Sequence, residues 1–273
     1  LVASISVIIP HFRRADLISA TLDSVLQQSL EPLEIIVVDD ASGGDTVKSL
    51  ERFEPEIKLI TLAENVGVSE ARNLGVKAAS GVYVAFLDSD DLWEPQKLAT
   101  QWAYLQSHPE CDAVHTGVRV DTPGGTTASY TNKPQRLKIE DLVRSSHVMV
   151  QSLMMKKQDF IELGGFDRSF SQTEDYEFSM RMVTSGIKLD FIPDPLVILN
   201  RGRTDHLSQS WTGYLRGHIR IVWRYSNFYR QVDGYFSPLK YTGKYLASGG
   251  RKRGGIAGYL VSLVGLAVSK FFS

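Results

Sequence analysis

The run Val82-Tyr83-Val84-Ala85-Phe86-Leu87-Asp88-Ser89-Asp90-Asp91 decides how this chain is read. An apolar strand that ends in three clustered carboxylates is electrostatically unfavourable, because like charges raise one another's pKa. A cation relieves the repulsion, and Mg²⁺ or Mn²⁺ sites combine one or two carboxylates with substrate phosphates. The segment therefore reads as a metal–phosphate site at the carboxyl end of a strand. Taken alone, a turn is the simpler reading, since Asp and Ser are common turn residues and cap helices. The rest of the chain shifts that balance.

Outward from this run, strand and helix patterns alternate. Ile5–Ile9 is a short apolar run halted by Pro10, and Asp16–Gln28 carries helical spacing. Glu34–Val38 is a second strand, followed by a helix from about Asp45 to Phe53, a strand Ile57–Leu62 and a helix Ser69–Ala79. This order predicts a parallel sheet with helices on both faces. Ligands of such sheets bind at the carboxyl ends of the strands. Here those ends are Pro10-His11-Phe12, Asp39-Asp40 and Asp88-Ser89-Asp90. Beyond residue 110 the pattern loosens. A strand is expected at Ala113–Val120, a loop or hairpin over 121–135, a strand at Val148–Met155, and helices at Tyr176–Ser185 and over 211–230.

Composition marks a globular chain: of 273 residues, 43% are hydrophobic and 22% charged. The single cysteine, Cys111, excludes an intrachain disulfide and fits a reducing compartment. The net charge of −1 hides an asymmetry: residues 201–273 hold twelve Lys and Arg against two Asp and Glu, a balance of +10, so residues 1–200 carry −11. A basic appendage on an acidic body suits an anionic surface. A membrane fits better than nucleic acid, because Arg251-Lys252-Arg253 precedes the apolar stretch Ile256–Val268. Thirteen residues are short of the ~20 a span needs, and suit an interfacial anchor. The alternative is a helix packed on its own domain or on a second subunit of a homo-oligomer. The expected location is cytoplasmic, peripheral on the inner face of the membrane.

Four segments in order carry a family resemblance: Ser6-Val7-Ile8-Ile9-Pro10, Ile36-Val37-Val38-Asp39-Asp40-Ala41-Ser42, Asn65-Val66-Gly67 through Ala71-Arg72-Asn73, and Val84 to Asp91. A fifth, Gly164-Gly165-Phe166-Asp167 followed by Glu174-Asp175, completes it. Together they resemble family 2 of the inverting nucleotide-sugar glycosyltransferases. The resemblance implies an α/β GT-A fold, a Rossmann-like, mainly parallel sheet flanked by helices. It divides the chain into a glycosyltransferase domain, 1–210, and a basic helical extension, 211–273. Within the domain, 1–120 is the nucleotide-sugar half and 121–210 the acceptor half.

The resemblance also implies roles. Phe12 stacks on the base of a UDP-sugar, with Pro10 and His11 shaping the turn beneath it; the family usually has a small residue and then Tyr here. Asp39 or Asp40, with Asp40 favoured, accepts from the uracil imide, and Arg72 contacts the base or the diphosphate. Asp88, beside Ser89, takes the ribose hydroxyls. Asp90 and His206 hold Mn²⁺ or Mg²⁺, while Asp91 orients the loop. Arg201 and Arg203 are alternative diphosphate contacts. Asp175 is the base that activates the acceptor hydroxyl, and Glu174 holds the acceptor or orients Asp175. Gly164-Gly165 lets the backbone pass close to the donor sugar. A glycan or lipid-linked acceptor is expected. Two other classes compete. A nucleotidyltransferase would need a Gly-rich phosphate loop after the first strand, where this chain has Arg13-Arg14 without glycines. A non-catalytic glycan- or membrane-binding module would not need intact Asp-Ser-Asp and Glu-Asp pairs.

Overall fold

The computed structural model describes residues 4–122, 124–170, 172–200 and 211–272. The first half builds strands β1 (Ile5–His11), β2 (Glu34–Asp39), β3 (Ile57–Thr61) and β4 (Tyr83–Phe86), with helices α1 (Ile18–Leu26), α2 (Gly44–Glu51) and α3 (Val68–Ala78) between them. The four strands are parallel, in the order β3-β2-β1-β4. The inner strands β1 and β2, buried on both faces, read as near-continuous apolar runs. Pro10 does not halt β1, which continues in register with β2 to His11↔Asp39. Its missing N–H falls beyond the last pairing with β4, Ile8↔Phe86, where no ladder bond is lost.

The sheet then changes direction. Strands β5 (Leu92–Trp93), β6 (Ala113–Thr122), β7 (Gly125–Tyr130), β8 (Met154–Lys156) and β9 (Leu189–Asn200) extend it as β4-β8-β6-β9-β5, with β7 a hairpin partner of β6. β8 runs antiparallel to both β4 and β6. The strand expected over 148–155 shrinks to β8, because Val150–Ser152 closes a 3₁₀ turn through Ser152 N→Met149 O and Leu153 N→Val150 O. Helix α4 (Lys97–Ser107) and the long β9 have no counterpart in the sequence reading.

Two cores sandwich the sheet. One packs α1, α2 and α4 through Ile18, Leu22, Leu50, Leu98 and Leu105. The other packs α3 with α5 (Ile139–Arg144), α6 (Lys157–Glu162) and α7 (Glu174–Thr184). This second core also takes Ile221 and Val222 of α8 (Trp211–Arg224), Tyr229 of α9 (Ser226–Asp233) and Tyr241 of α10 (Ser237–Arg253). The C-terminal helices are thus built onto the domain. The final helix, α11 (Gly255–Phe271), pairs with α10 at backbone distance: a Cβ on Gly250 would lie 2.5 Å from the Gly258 carbonyl oxygen, and one on Gly265 would collide with Ala247 N. Tyr259, Leu260, Leu263, Val264 and Leu266 are left exposed on α11.

Close packing at Gly265 is a sharp requirement. Gly265→Val is expected to lower stability in urea unfolding by about 2 kcal/mol, the usual cost of overpacking. Leu266→Val, one residue along on an exposed position, should change it by less than about 0.5 kcal/mol. Equal effects would refute the close hairpin.

Candidate active site

The strand ends converge as the topology requires. After β1 and β2 the two turns are tied together: Asp40 N donates to His11 O at 2.8 Å and Arg13 N to Ser42 Oγ at 2.9 Å. The turns are tight enough that Arg13 and Ala41 take positive φ, 52° and 61°. His11 and Asp39 are adjacent in register and fully buried. Neither ring nitrogen of His11 has a partner, and neither does Asp39 Oδ1. Burial pushes the His11 imidazole down to about 4, so the ring is neutral. Orphaned buried groups of this kind call for a partner such as water, an ion or a ligand. Phe12 is 39% exposed, with Arg13 over its ring at 4.9 Å.

Asp40 is occupied by the fold. Its two oxygens accept from Val66 N at 2.7 Å and Gly67 N at 2.9 Å, which anchors the loop into α3. Asp39 Oδ1 thus has no partner among the described residues, whereas both oxygens of Asp40 are taken by the loop.

Arg72 lies on α3, fully buried, and reaches two carboxylates from opposite halves of the chain. Nη2 meets Asp88 Oδ1 at 2.5 Å, and Nη1 meets Glu174 Oε1 at 3.0 Å. Both carboxylates hold the guanidinium firmly protonated despite its burial. Its plane lies over the Phe166 ring at 5.4 Å. The guanidinium is therefore directed at Asp88 and Glu174 rather than at a base or diphosphate. The next residue, Asn73, clamps the Gly-Gly-Phe segment: Phe166 N donates to Asn73 Oδ1 at 2.8 Å and Asn73 Nδ2 to Phe166 O at 3.0 Å. Gly165, at φ 68°, has no room for a side chain, because a Cβ would stand 2.5 Å from Asn73 Oδ1. The close approach made by the paired glycines is to Asn73.

In the Asp88–Asp91 turn the three carboxylates have different surroundings. Asp88 Oδ2 accepts from Gln151 Nε2 at 2.6 Å. Asp91 is buried, accepting from Gln151 Nε2 at 2.9 Å and Asn200 N at 3.0 Å, so it orients the loop. Ser89 is buried in the turn. Asp90 lies 3.7 Å from the Arg14 guanidinium. Among the described residues no group of three or more His, Cys, Asp or Glu converges to hold a metal ion. Asp90 could supply one carboxylate to Mg²⁺ or Mn²⁺, ions that usually combine one or two carboxylates with substrate phosphates. His206, Arg201 and Arg203 lie outside the described residues.

Helix α7 opens with Glu174 and Asp175. Asp175 Oδ1 accepts from Tyr176 N at 2.7 Å. Burial, then the adjacent Glu174 charge, pushes its carboxyl up to about 7, against the pull of the Tyr176 amide and Arg72. The helix beneath is pinned by buried Glu177, which takes Arg181 at 2.7 Å and Arg224 at 2.9 Å. Lys133 faces the same region; burial lowers its ammonium to about 8 while Asp175 pulls the other way. Gln151, Arg14 and Lys133 were missed as site residues. A lone Gln in the apolar stretch Val148–Met155 was the one available signal.

Comparison with known proteins agrees with this architecture. The sequence profile "Glycosyl transferase family 2" matches residues 6–164. The chain is 43% identical over 173 residues to the UDP-Glc:alpha-D-GlcNAc-diphosphoundecaprenol beta-1,3-glucosyltransferase WfgD of Escherichia coli, covering 63% of this chain and 66% of that protein. The match spans only 62% of the length of each of two further curated relatives, from Bacillus subtilis and Haemophilus influenzae. In fold it is similar to S. aureus TarS 1-349 in complex with UDP-GlcNAc, at TM-score 0.69 and 15% identity, covering 98% of this chain and 90% of that one. It is also similar to the mannosyltransferase PcManGT of Pyrobaculum calidifontis in complex with GDP-Man and Mn²⁺, at TM-score 0.66 and 20% identity, covering 97% and 73%. The chain belongs to glycosyl transferase family 2 and has the GT-A fold.

Removing Arg72 leaves two carboxylates facing each other without their cation. Arg72→Met is expected to lower stability by about 3 kcal/mol in urea unfolding, as for loss of one partner of a buried ion pair. A change below about 0.5 kcal/mol would contradict the bridge.

Proposed function

We propose that the chain is an inverting glycosyltransferase that moves a sugar from a UDP-sugar to a hydroxyl of a glycan or lipid-linked acceptor, assisted by a divalent cation. The observation that carries this reading is the Asp88–Arg72–Glu174 bridge, which holds the donor-side turn against the helix bearing a carboxyl poised near neutral pH.

On the donor side, an imide supplies both an N–H and a carbonyl. It therefore matches the two orphaned partners: the uracil N–H donates to Asp39 Oδ1, and a carbonyl accepts from neutral His11. Phe12 offers its exposed face to the base, with Pro10 setting the turn, and Asp40 holds the loop beneath. Asp88 receives the ribose hydroxyls, with Ser89 behind it. Arg72 positions Asp88 and Glu174. Asp90, with His206 a candidate further ligand, would hold a Mn²⁺ or Mg²⁺ ion, which when bound would neutralise charge on the leaving group.

On the acceptor side, Asp175 takes the proton of the acceptor hydroxyl as that oxygen attacks the anomeric carbon opposite the diphosphate, which departs with the bonding electron pair. Glu174 keeps the Asp175 carboxyl raised and helps hold the acceptor. The name of WfgD supports a sugar diphosphate lipid as acceptor, and the TarS and PcManGT complexes support a nucleotide-sugar donor with a divalent cation. In this reading residues 1–120 serve the donor and 121–210 the acceptor.

The basic turn Arg251-Lys252-Arg253 and the exposed apolar face of α11 form an interfacial surface for anionic lipid, on the membrane that carries the acceptor. No helix among the described residues is long and apolar enough to cross a membrane. The full chain is expected to cosediment with phosphatidylglycerol vesicles, and replacing the three basic residues by Glu should abolish this. Unchanged cosedimentation would remove the membrane role.

Activity is tested with a panel of nucleotide-sugars, with Mn²⁺, with Mg²⁺ and with chelator. Metal-dependent turnover or binding with none of them would sink the proposal. Because Asp175 must be ionised to accept a proton and its carboxyl is raised to about 7, kcat/KM should climb through about pH 7 and level off above it. Asp175→Asn should lower kcat at least ~100-fold with donor binding retained. A flat profile between pH 5 and 8 would contradict the assignment.

A further inference from the structure

A cavity of about 510 Å³ opens between the segment that enters α7 and the first turns of α8. Phe170 and Gln172 form one wall; Gly213, Arg216, Gly217 and Arg220 form the other. None of the described residues lining it is acidic. Arg216 and Arg220 stand one turn apart on α8, on one face of the helix. Arg220 is fixed, donating to Ser169 O at 3.1 Å with its guanidinium 4.7 Å over the Phe170 ring. Arg216 is exposed and makes no hydrogen bond or ion pair with a described residue.

Gln172 lines the cavity, and its neighbour Thr173 is buried behind it against α8. The two glycines of α8 let this segment pack directly on the helix: a Cβ on Gly213 would stand 2.7 Å from the Gln172 amide, and one on Gly217 would collide with the Thr173 hydroxyl.

We infer that this cavity is the subsite for the diphosphate of a sugar diphosphate lipid acceptor; the inference rests on the transferase reading above. Two arginines supply the forked donors that suit phosphate oxygens. Position agrees with this role. Gln172 lies three residues before Asp175, so the chain places the cavity within ~10 Å of the base, about the reach of one sugar residue. A diphosphate seated here presents the hydroxyl of its attached sugar to Asp175.

The probe is inorganic pyrophosphate, titrated calorimetrically into the UDP-saturated full chain. Wild type should bind it, and Arg216→Ala should weaken binding about tenfold. In the second arm, kcat/KM for a sugar diphosphate lipid relative to the same sugar on a neutral alkyl aglycone should fall about tenfold in Arg216→Ala. A purely structural role would lower both acceptors together and leave the ratio unchanged. Pyrophosphate binding that is absent, or equal in the two proteins, overturns the subsite. So does Arg216-dependent binding of phosphatidylglycerol vesicles without pyrophosphate binding, which would assign the cavity to a lipid headgroup. The calorimetric arm needs no turnover, so failure of transfer would refute the transferase reading without touching this result.

Discussion

One guanidinium joins the two halves of the site. Arg72 is buried, and its charge is tolerated there because Asp88 and Glu174 sit on either side of it. Asp88 lies in the turn just after β4, and Glu174 begins the helix that carries Asp175. Neither carboxylate would be stable in its place without the other's cation. The clamp of Asn73 on Phe166 adds a second tie at the next residue, and the conformation of Gly165 makes room for it. The segment 71–73 therefore holds the loop before α7 against the parallel sheet.

The charge arrangement follows from that tie. Arg72 pairs with Asp88 and Glu174, while burial and the Glu174 charge disfavour the ionised form of Asp175. A raised carboxyl beside a cleft is what a general base at neutral pH requires. On the other side, burial keeps His11 neutral next to Asp39, so a donor and an acceptor face the same space. Each end of the cleft thus pairs a perturbed group with an unsatisfied one.

The parallel half of the fold was legible because its strands are short apolar runs punctuated by carboxylates, and its helices keep regular spacing. Bounds moved by only a residue or two, as with β2 and α3. The second half was harder to read. The apolar stretch Val148–Met155 looks like a strand, but Gln151 is turned toward Asp88 and Asp91, and the backbone bends into a 3₁₀ turn to bring it there. Long-range polar contacts of this kind leave no local periodicity. The surroundings of Asp39 and Asp40 are not legible locally for a similar reason: the amides of Val66 and Gly67, which bond Asp40, are more than twenty residues away. Arg72 was seen as a site residue, but its partners Asp88 and Glu174 could be paired only once the fold brought them together.

The central claim is that Asp175 and the departing diphosphate act on opposite faces of the transferred sugar, in a single displacement. The most direct measurement is the anomeric configuration of the product, read from its proton coupling by NMR, with an α-linked UDP-sugar as donor. The account predicts a β-linked product. An α-linked product, or a glycosyl group bound covalently to the protein during turnover, would contradict it.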